Sequence, residues 1–467
     1  RVRGSERNAD PPVATMRRAL DSPILEGARA AHVAGEGPRP DLVVVGNIVS
    51  RDNPEVAATR RAGIEHLSMP QTLARFFLSS RDPIVVSGTH GKTTTTALIA
   101  RMLMEAGRDP SFLVGGVLSD LRRSYRLGRR GGGEPFVIEG DEYETAFFDK
   151  GPKFLHYMPR TAVLTSVEYD HAEMYPSLES VREAFARFVA LVPPAERGGR
   201  LVVCADDPVA AGLAAGCPAE VVPYGLGEAA RLRGRAIASG PRGMRFRVQE
   251  AGADLGSFRV DLTGDHNLRN ALAAVAVGRG LGLTPEQIRG GLAAFAGVGR
   301  RQEVRGVVDG VTIIDDFAHH PTAVRETIAA TRARFSAGRL WAVFEPRTNT
   351  TRRDVFQADY ARAFDGADEV VVAPVDRPER APEGRRLDVE RLIADLGERG
   401  LSARGAPGGV DEIVATLSGA TRRGDVVLIM SNGRFGDIHE RLLAALEARV
   451  MRARPAGDPR AGRQPPP

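Results

Sequence analysis

The sequence predicts an α/β protein of two or three domains, built on mostly parallel sheets. Short apolar runs alternate with helix-length periodic segments along most of the chain. Its 467 residues exceed the roughly 250–300 at which a single core splits. Finally, Pro83–Gly88 (PIVVSG) runs through a glycine turn into a helix, the order that sets a helix N-terminus at the carboxyl end of a strand.

Residues 1–80 read as alternating strand and helix, with Asp41–Gly46 (DLVVVG) a short buried strand and a helix starting within Asn53–Ala62. After the strand Pro83–Gly88 the helix runs from about Thr93 to Ala106 and closes at Gly107, with Leu98, Met102 and Leu103 on its apolar face. Strands Phe136–Glu139, Thr161–Val167 and Leu201–Cys204 and a helix Ser180–Val192 continue the pattern. Between Pro223 and Leu262, short alternating runs rich in Gly and Arg predict a small antiparallel excursion before the helix Asn267–Gly280. A glycine-containing joint at Val298–Arg301 then leads into strands at Gly306–Ile314, Leu340–Phe344, Glu369–Ala373 and Val426–Met430. The expected divisions are 1–80, 81–297 and 298–450, followed by a disordered tail, 451–467, whose Pro, Gly and Arg lack apolar periodicity.

Composition removes several function classes. No apolar run approaches the roughly 18 residues of a membrane span, and RVRGSERNAD has no apolar stretch behind its basic residues, so neither a membrane nor a secretory signal is expected. Cytosol is the expected compartment. Cys204 and Cys217 form no CxxC pair and read as plain thiols. The net charge is +5, but the basic residues are scattered and aromatics make up only 6%, which argues against a nucleic-acid partner.

Only three of the 64 cationic residues are lysine: Lys92, Lys150 and Lys153. A chain that uses arginine almost everywhere, yet keeps lysine at 92, needs there a compact ammonium that a planar guanidinium does not replace. That lysine sits in Gly88-Thr89-His90-Gly91-Lys92-Thr93-Thr94, directly after the strand. Glycine lets backbone N–H groups approach phosphates, the helix dipole favours their charge, Lys92 offsets β/γ charge, and the Thr93 hydroxyl suits Mg²⁺. The strict GxxxxGK[ST] spacing fails, because Val86 stands where its first glycine belongs. After the next strand, Glu139, Asp141 and Glu142 offer hard oxygens at the same crevice.

These residues resemble the Mur ligase family, whose loop takes the shorter form GTHGKTT found at Gly88–Thr94. The resemblance runs through nearly the whole chain. It implies three domains: one for a UDP-sugar, a central P-loop ATPase, and a C-terminal domain closing over both, the flanking two Rossmann-like. It also implies an ATP-dependent ligase that joins a carboxylate to an amine with Mg²⁺. Glu139 is implied as a metal ligand, and His171 of Val167–His171 (VEYDH) as holding a second Mg²⁺. His266, Asn267 and Asn270 match the family's GxHNxxN element near the base and ribose of ATP, although His266 and Asn267 could equally cap their helix. Arg301 and Asp316 match positions that reach across the cleft towards the nucleotide. The carbamylated lysine of related ligases has no counterpart in Arg187–Pro193.

Three stretches, Asp141–Lys150 (DEYETAFFDK), Glu345–Thr350 (EPRTNT) and Met430–His439 (MSNGRFGDIH), resemble members that attach a recycled tripeptide more than members that attach L-alanine. The tripeptide is L-alanyl-γ-D-glutamyl-meso-diaminopimelate, and its acceptor is UDP-N-acetylmuramate. Arg347, Asn349 and His319 are the expected substrate contacts; His319 and His320, as neighbours on a strand, would not both face one site. In the last stretch Arg434 and Asp437 stand where the family usually has glycine. The family begins with a strand and glycine loop that help bind the UDP pyrophosphate. Here Gly4 and Ser5 match the end of the second strand, so the expectation is either a fragment or compromised sugar binding. A smaller amine, L-alanine, and a silent nucleotide-binding module are the competing readings.

Overall fold

A computed structural model describes residues 2–6, 24–35, 38–129 and 133–453. The described residues fall into two compact units: the first joins residues up to Arg81 to Asp141–Met158, and the second joins Asp82–Gly140 to the chain from Pro159 on.

In the first unit, parallel strands pair as Gly4–Glu6 with Ile24–Glu26 and as Leu42–Val45 with Glu65–Ser68. The helix Pro54–Arg61 starts at Asn53, whose side chain accepts from the Glu55 N–H, with proline in the first turn, where its missing N–H costs nothing. Val33, Ala58 and Ile64 form a small buried cluster. Lys153 is buried, paired with Asp141 at 2.9 Å and seated over the Tyr143 ring.

The second unit contains two sheets. In chain order, the strands of the larger are β1 Asp82–Ser87, β2 Ser111–Leu118, β3 Arg123–Arg126, β4 Pro135–Gly140, β5 Thr161–Leu164, β6 Arg200–Cys204, β7 Glu220–Gly225, β8 Leu232–Gly240, β9 Gly243–Glu250 and β10 Ala253–Val260. They lie in the order β10-β9-β8-β7-β6-β5-β1-β4-β2-β3. β8 to β2 run parallel, with an antiparallel strand at one edge and the β9–β10 meander at the other. The meander is the excursion expected between 223 and 262. Strands that are buried on both faces read as continuous apolar runs, as Ile84-Val85-Val86 and Ala162-Val163-Leu164 do. Helices α1 Lys92–Glu105 and α2 Asp265–Gly280 pack their apolar faces on this sheet around Leu98, Met102 and Leu272.

The second sheet has β11 Glu303–Val308, β12 Val311–Asp316, β13 Leu340–Phe344, β14 Glu369–Val372, β15 Ser402–Gly405 and β16 Val426–Met430, ordered β11-β12-β16-β13-β14-β15. Only β11 is antiparallel to its neighbour. Helix α3, Pro321–Arg334, begins with His320 as its cap. The last helix, Ile438–Ala453, carries 451–453 past the boundary expected at 450, and the rest of the expected tail lies outside the described residues. Among the described residues no helix is long and apolar enough to cross a membrane.

Candidate active site

The chain leaves β1 for β2 and β4 on one side and returns to β5 on the other, so a crevice opens at the carboxyl ends of β1, β4 and β5. The 88–94 loop fills it. Gly91 closes the loop in the left-handed region at φ +80, where an added Cβ would come within 2.3 Å of Asn270 Oδ1. The Thr89 N–H donates to the Ser166 carbonyl at 2.9 Å and the His90 N–H to Ser166 Oγ at 3.0 Å. Thr165 Oγ1 donates to the His90 carbonyl at 2.6 Å, so the end of β5 scaffolds the loop. Within it, Lys92 Nζ donates to the carbonyls of Gly88 at 2.6 Å and Thr89 at 3.2 Å. The ammonium is thereby held inside the turn rather than along the helix.

One turn on, Thr93 Oγ1 donates to Glu139 Oε1 at 2.8 Å, and the other carboxylate oxygen accepts from the Gly115 N–H at 2.7 Å. Gly115 permits this approach, since a Cβ there would meet Glu139 Oε2 at 2.7 Å, and Gly116 leaves room for Val298, whose Cγ1 a Cβ would meet at 2.5 Å. A glycine pair inside a strand is the signal that could have revealed it from the sequence. Arg301 comes from beyond the joint to donate to Thr93 Oγ1 at 3.2 Å, with its guanidinium 4.9 Å from the centre of the Phe317 ring. A hydroxyl and a carboxylate 2.8 Å apart at the end of a phosphate loop are hard oxygen donors of the kind Mg²⁺ takes in small number beside phosphate and water. This pair fits that ion; held there, it would offset triphosphate charge.

Other expected residues lie further back. Asp316 accepts from the N–H groups of Gln302 and Ala318, each at 2.8 Å, so it orders the backbone that carries Arg301; burial pushes its carboxyl upward. His266 sits 3.4 Å from the Gln302 amide nitrogen and is pushed down to about 3 by burial and by the charges of Arg269, His90 and Arg301. It is neutral at physiological pH. Asn267 donates to the Thr263 carbonyl at 2.9 Å, and Asn270 joins Asn267 to Thr95, each link 3.1 Å. Asn270→Ala is expected to leave the fully buried Thr95 hydroxyl without that acceptor, lowering unfolding free energy by about 1–3 kcal/mol, readable in a urea titration.

The strand expected to Val167 stops at Leu164, and seven residues further on, in the loop, His171 adopts φ +53, its N–H donating to Asp170 Oδ1 at 2.7 Å and its ring lying 3.4 Å from Glu173. Burial would raise the Asp170 carboxyl, but the charges of His171, His319 and His320 hold it well below its usual range. The Glu345–Thr350 loop meets this segment: the Asn349 amide hydrogen-bonds the Glu173 carboxylate, and Thr350 Oγ1 accepts from the Ala172 N–H at 3.3 Å. Arg347 lies between Glu345 at 3.5 Å and Asp376 at 3.9 Å. The alternation argument for His319 and His320 fails, because Phe317–His320 is the loop between β12 and α3, not strand. His319 approaches Asp170 at 3.9 Å and His320 approaches Glu168 at 3.4 Å, so both turn to the same segment. Arg434 sits at φ −70, where glycine is not needed. Asp437 sits at φ +55, in the left-handed region aspartate tolerates, and accepts from Arg434 at 3.1 and 3.2 Å.

Residues 1–81 match the Mur ligase family catalytic domain, 86–278 the Mur ligase middle domain, and 299–433 the Mur ligase glutamate ligase domain. The UDP-N-acetylmuramate–L-alanyl-γ-D-glutamyl-meso-2,6-diaminoheptandioate ligase of Escherichia coli (strain K12) is 35% identical over 454 residues, covering 97% of this chain and 94% of that one. The chain belongs to the Mur ligase family. This Mur ligase is also 37% identical over 460 residues to the UDP-N-acetylmuramate–L-alanine ligase of Roseiflexus sp. (strain RS-1), with 94% and 92% of the two chains covered. Its fold superimposes on the crystal structure of a murein peptide ligase from Psychrobacter arcticus 273-4 with a TM-score of 0.67 at 32% identity, over 95% and 93% of the two chains. The three-domain α/β architecture is therefore shared by this Mur ligase.

Proposed function

We propose that this Mur ligase uses ATP to join L-alanyl-γ-D-glutamyl-meso-diaminopimelate to UDP-N-acetylmuramate in the cytoplasm, returning recycled tripeptide to peptidoglycan synthesis. First, a lactyl carboxylate oxygen attacks the γ-phosphorus, the bond to the β-phosphate oxygen breaks, and ADP leaves an acyl phosphate behind. Next, the tripeptide amine attacks the acyl carbon, inorganic phosphate departs, and the nitrogen loses a proton to become the amide. Catalysis is then mainly placement and charge stabilisation. Lys92 offsets charge on the transferred phosphoryl group, Arg301 answers it from the C-terminal side, and the loop N–H groups cradle the triphosphate. Thr93 and Glu139 would hold Mg²⁺, with His171, in the loop that follows β5, as a further ligand. Residues 1–80 would take the UDP-sugar, 81–297 ATP and 298–450 the peptide, where Arg347, Asn349 and His319 face the incoming amine.

The observation that carries the ligase reading is the convergence of Thr93, Glu139 and Arg301, three chemistries from three parts of the chain, on the first turn of α1. The tripeptide reading is supported by the Glu345–Thr350 loop lying against Ala172–Glu173, beside the crevice. The Roseiflexus relative is named for L-alanine, which makes that amine the second reading. Phosphate release from ATP and UDP-N-acetylmuramate is expected to be faster with tripeptide than with L-alanine, and mass spectrometry should find the muramyl tripeptide product. Faster release with L-alanine would replace the tripeptide by the smaller amine.

A further inference from the structure

We propose that His90, Glu168 and His320 form a binding site for a borderline transition-metal dication, Zn²⁺ above all, tying the phosphate loop to the start of α3. Each residue offers one ligand atom, and the three atoms lie within 4.8 Å of one another. Both His90 Nε2 and His320 Nδ1 stand 3.4 Å from Glu168 Oε2. That is long for a hydrogen bond. It is, however, the edge of a tetrahedron around an ion with bonds of about 2.0–2.2 Å, whose ligands are separated by roughly 3.3–3.6 Å.

The surroundings are those of a metal-ligating histidine. His320 Nε2 lies 3.3 Å from the Tyr169 carbonyl, which accepts its proton, while Nδ1 accepts from the Thr322 N–H at 3.3 Å. The single ring lone pair is therefore on Nδ1, the nitrogen facing Glu168, where a bound ion would take the place of the Thr322 N–H, and the opposite N–H is held by a carbonyl, as ligating imidazoles usually are. Glu168 Oε2 is oriented by the Thr322 hydroxyl at 2.8 Å. The Phe356 ring stands edge-on to His320 with centroids 4.6 Å apart, giving one side an apolar wall. Two imidazoles and one carboxylate suit Zn²⁺ better than Mg²⁺, whose oxygen donors lie separately at Thr93 and Glu139. Three protein ligands leave a fourth position for water. His90 belongs to the ATP-binding loop and His320 to the C-terminal domain, so the bound ion holds these two parts together.

The test is a titration of the full chain in excess Mg²⁺, with Co²⁺ followed by its visible ligand-field bands and Zn²⁺ by calorimetry. One Zn²⁺ per chain is expected, bleaching the cobalt bands. His320→Ala is expected to weaken Zn²⁺ by about 100-fold, and Thr322→Val, which removes only the hydroxyl on Glu168, by about tenfold. The proposal is overturned if the unaltered chain takes up no Zn²⁺ under these conditions, or if His320→Ala keeps both affinity and cobalt spectrum. Should His320→Ala not fold, unchanged Zn²⁺ affinity in Thr322→Val decides against it. No nucleotide or peptide is needed, so failure here leaves the ligase reading standing.

Discussion

Lys92→Ala is expected to lower kcat by about 10²–10³-fold, the usual effect of removing one preorganised charge from a phosphoryl-transfer site. The lysine sits between a strand buried on both faces and a helix whose first residues are themselves buried, where charge is less screened than in water. Its Nζ is held by the Gly88 and Thr89 carbonyls, so it is already placed when phosphate charge develops. Lys92→Arg is expected to fall within about tenfold of the alanine variant, because a planar five-donor fork does not fit between the Gly88 and Thr89 carbonyls as a compact ammonium does. Neither change removes core packing, so far-UV circular dichroism and the urea midpoint should stay close to those of the unaltered chain. Phosphate release at saturating ATP is the deciding measurement. A variant that raises only the KM for ATP and keeps kcat has lost uniform binding, and the assignment of Lys92 to the transferring phosphoryl group would then be wrong.

Much of this site could be read in advance because its parts are local. Strand, glycine turn, lone lysine and helix start fall within Val85–Thr94, and chain order alone puts them at the carboxyl end of a strand. Glu139 was legible for the same reason: it ends a clear apolar strand that proves to neighbour β1. Parts that depend on folding of distant segments were not. Nothing near Glu168 in the sequence points to His320, 152 residues later, and treating Phe317–His320 as strand turned one of the two histidines away from the crevice. Asp316 illustrates a different limit. Its position was expected from resemblance, but only in the folded chain are both carboxylate oxygens taken by backbone N–H groups, so that it acts on Arg301 through the loop. The Arg434–Asp437 contact was equally hidden, since each residue alone reads as a lost glycine, and only φ values separate the position that needs left-handed backbone from the one that does not.

Gly88→Ala is expected to be the most damaging single-atom addition in the loop, costing about 2–6 kcal/mol of stability and abolishing measurable ATP binding. Two effects add. At φ +134 the backbone lies where L side chains are strained, typically by about 1–3 kcal/mol. An added Cβ would also lie 2.1 Å from Thr165 Oγ1 and 2.8 Å from both the N and O of Ser166, and forcing a methyl into a packed site costs a further 1–3 kcal/mol or so. Ser166 cannot step aside cheaply, because its carbonyl accepts the Thr89 N–H and its hydroxyl the His90 N–H, the bonds that shape the cradle. Gly107→Ala separates the two effects: at φ +77 with nothing within 4 Å of the new Cβ, it carries backbone strain alone and is expected to cost about 1 kcal/mol. Denaturant titrations of both variants give the comparison. If Gly88→Ala loses no more stability than Gly107→Ala, strand β5 does not press on the loop as closely as these distances require, and Thr165 and Ser166 are not its scaffold.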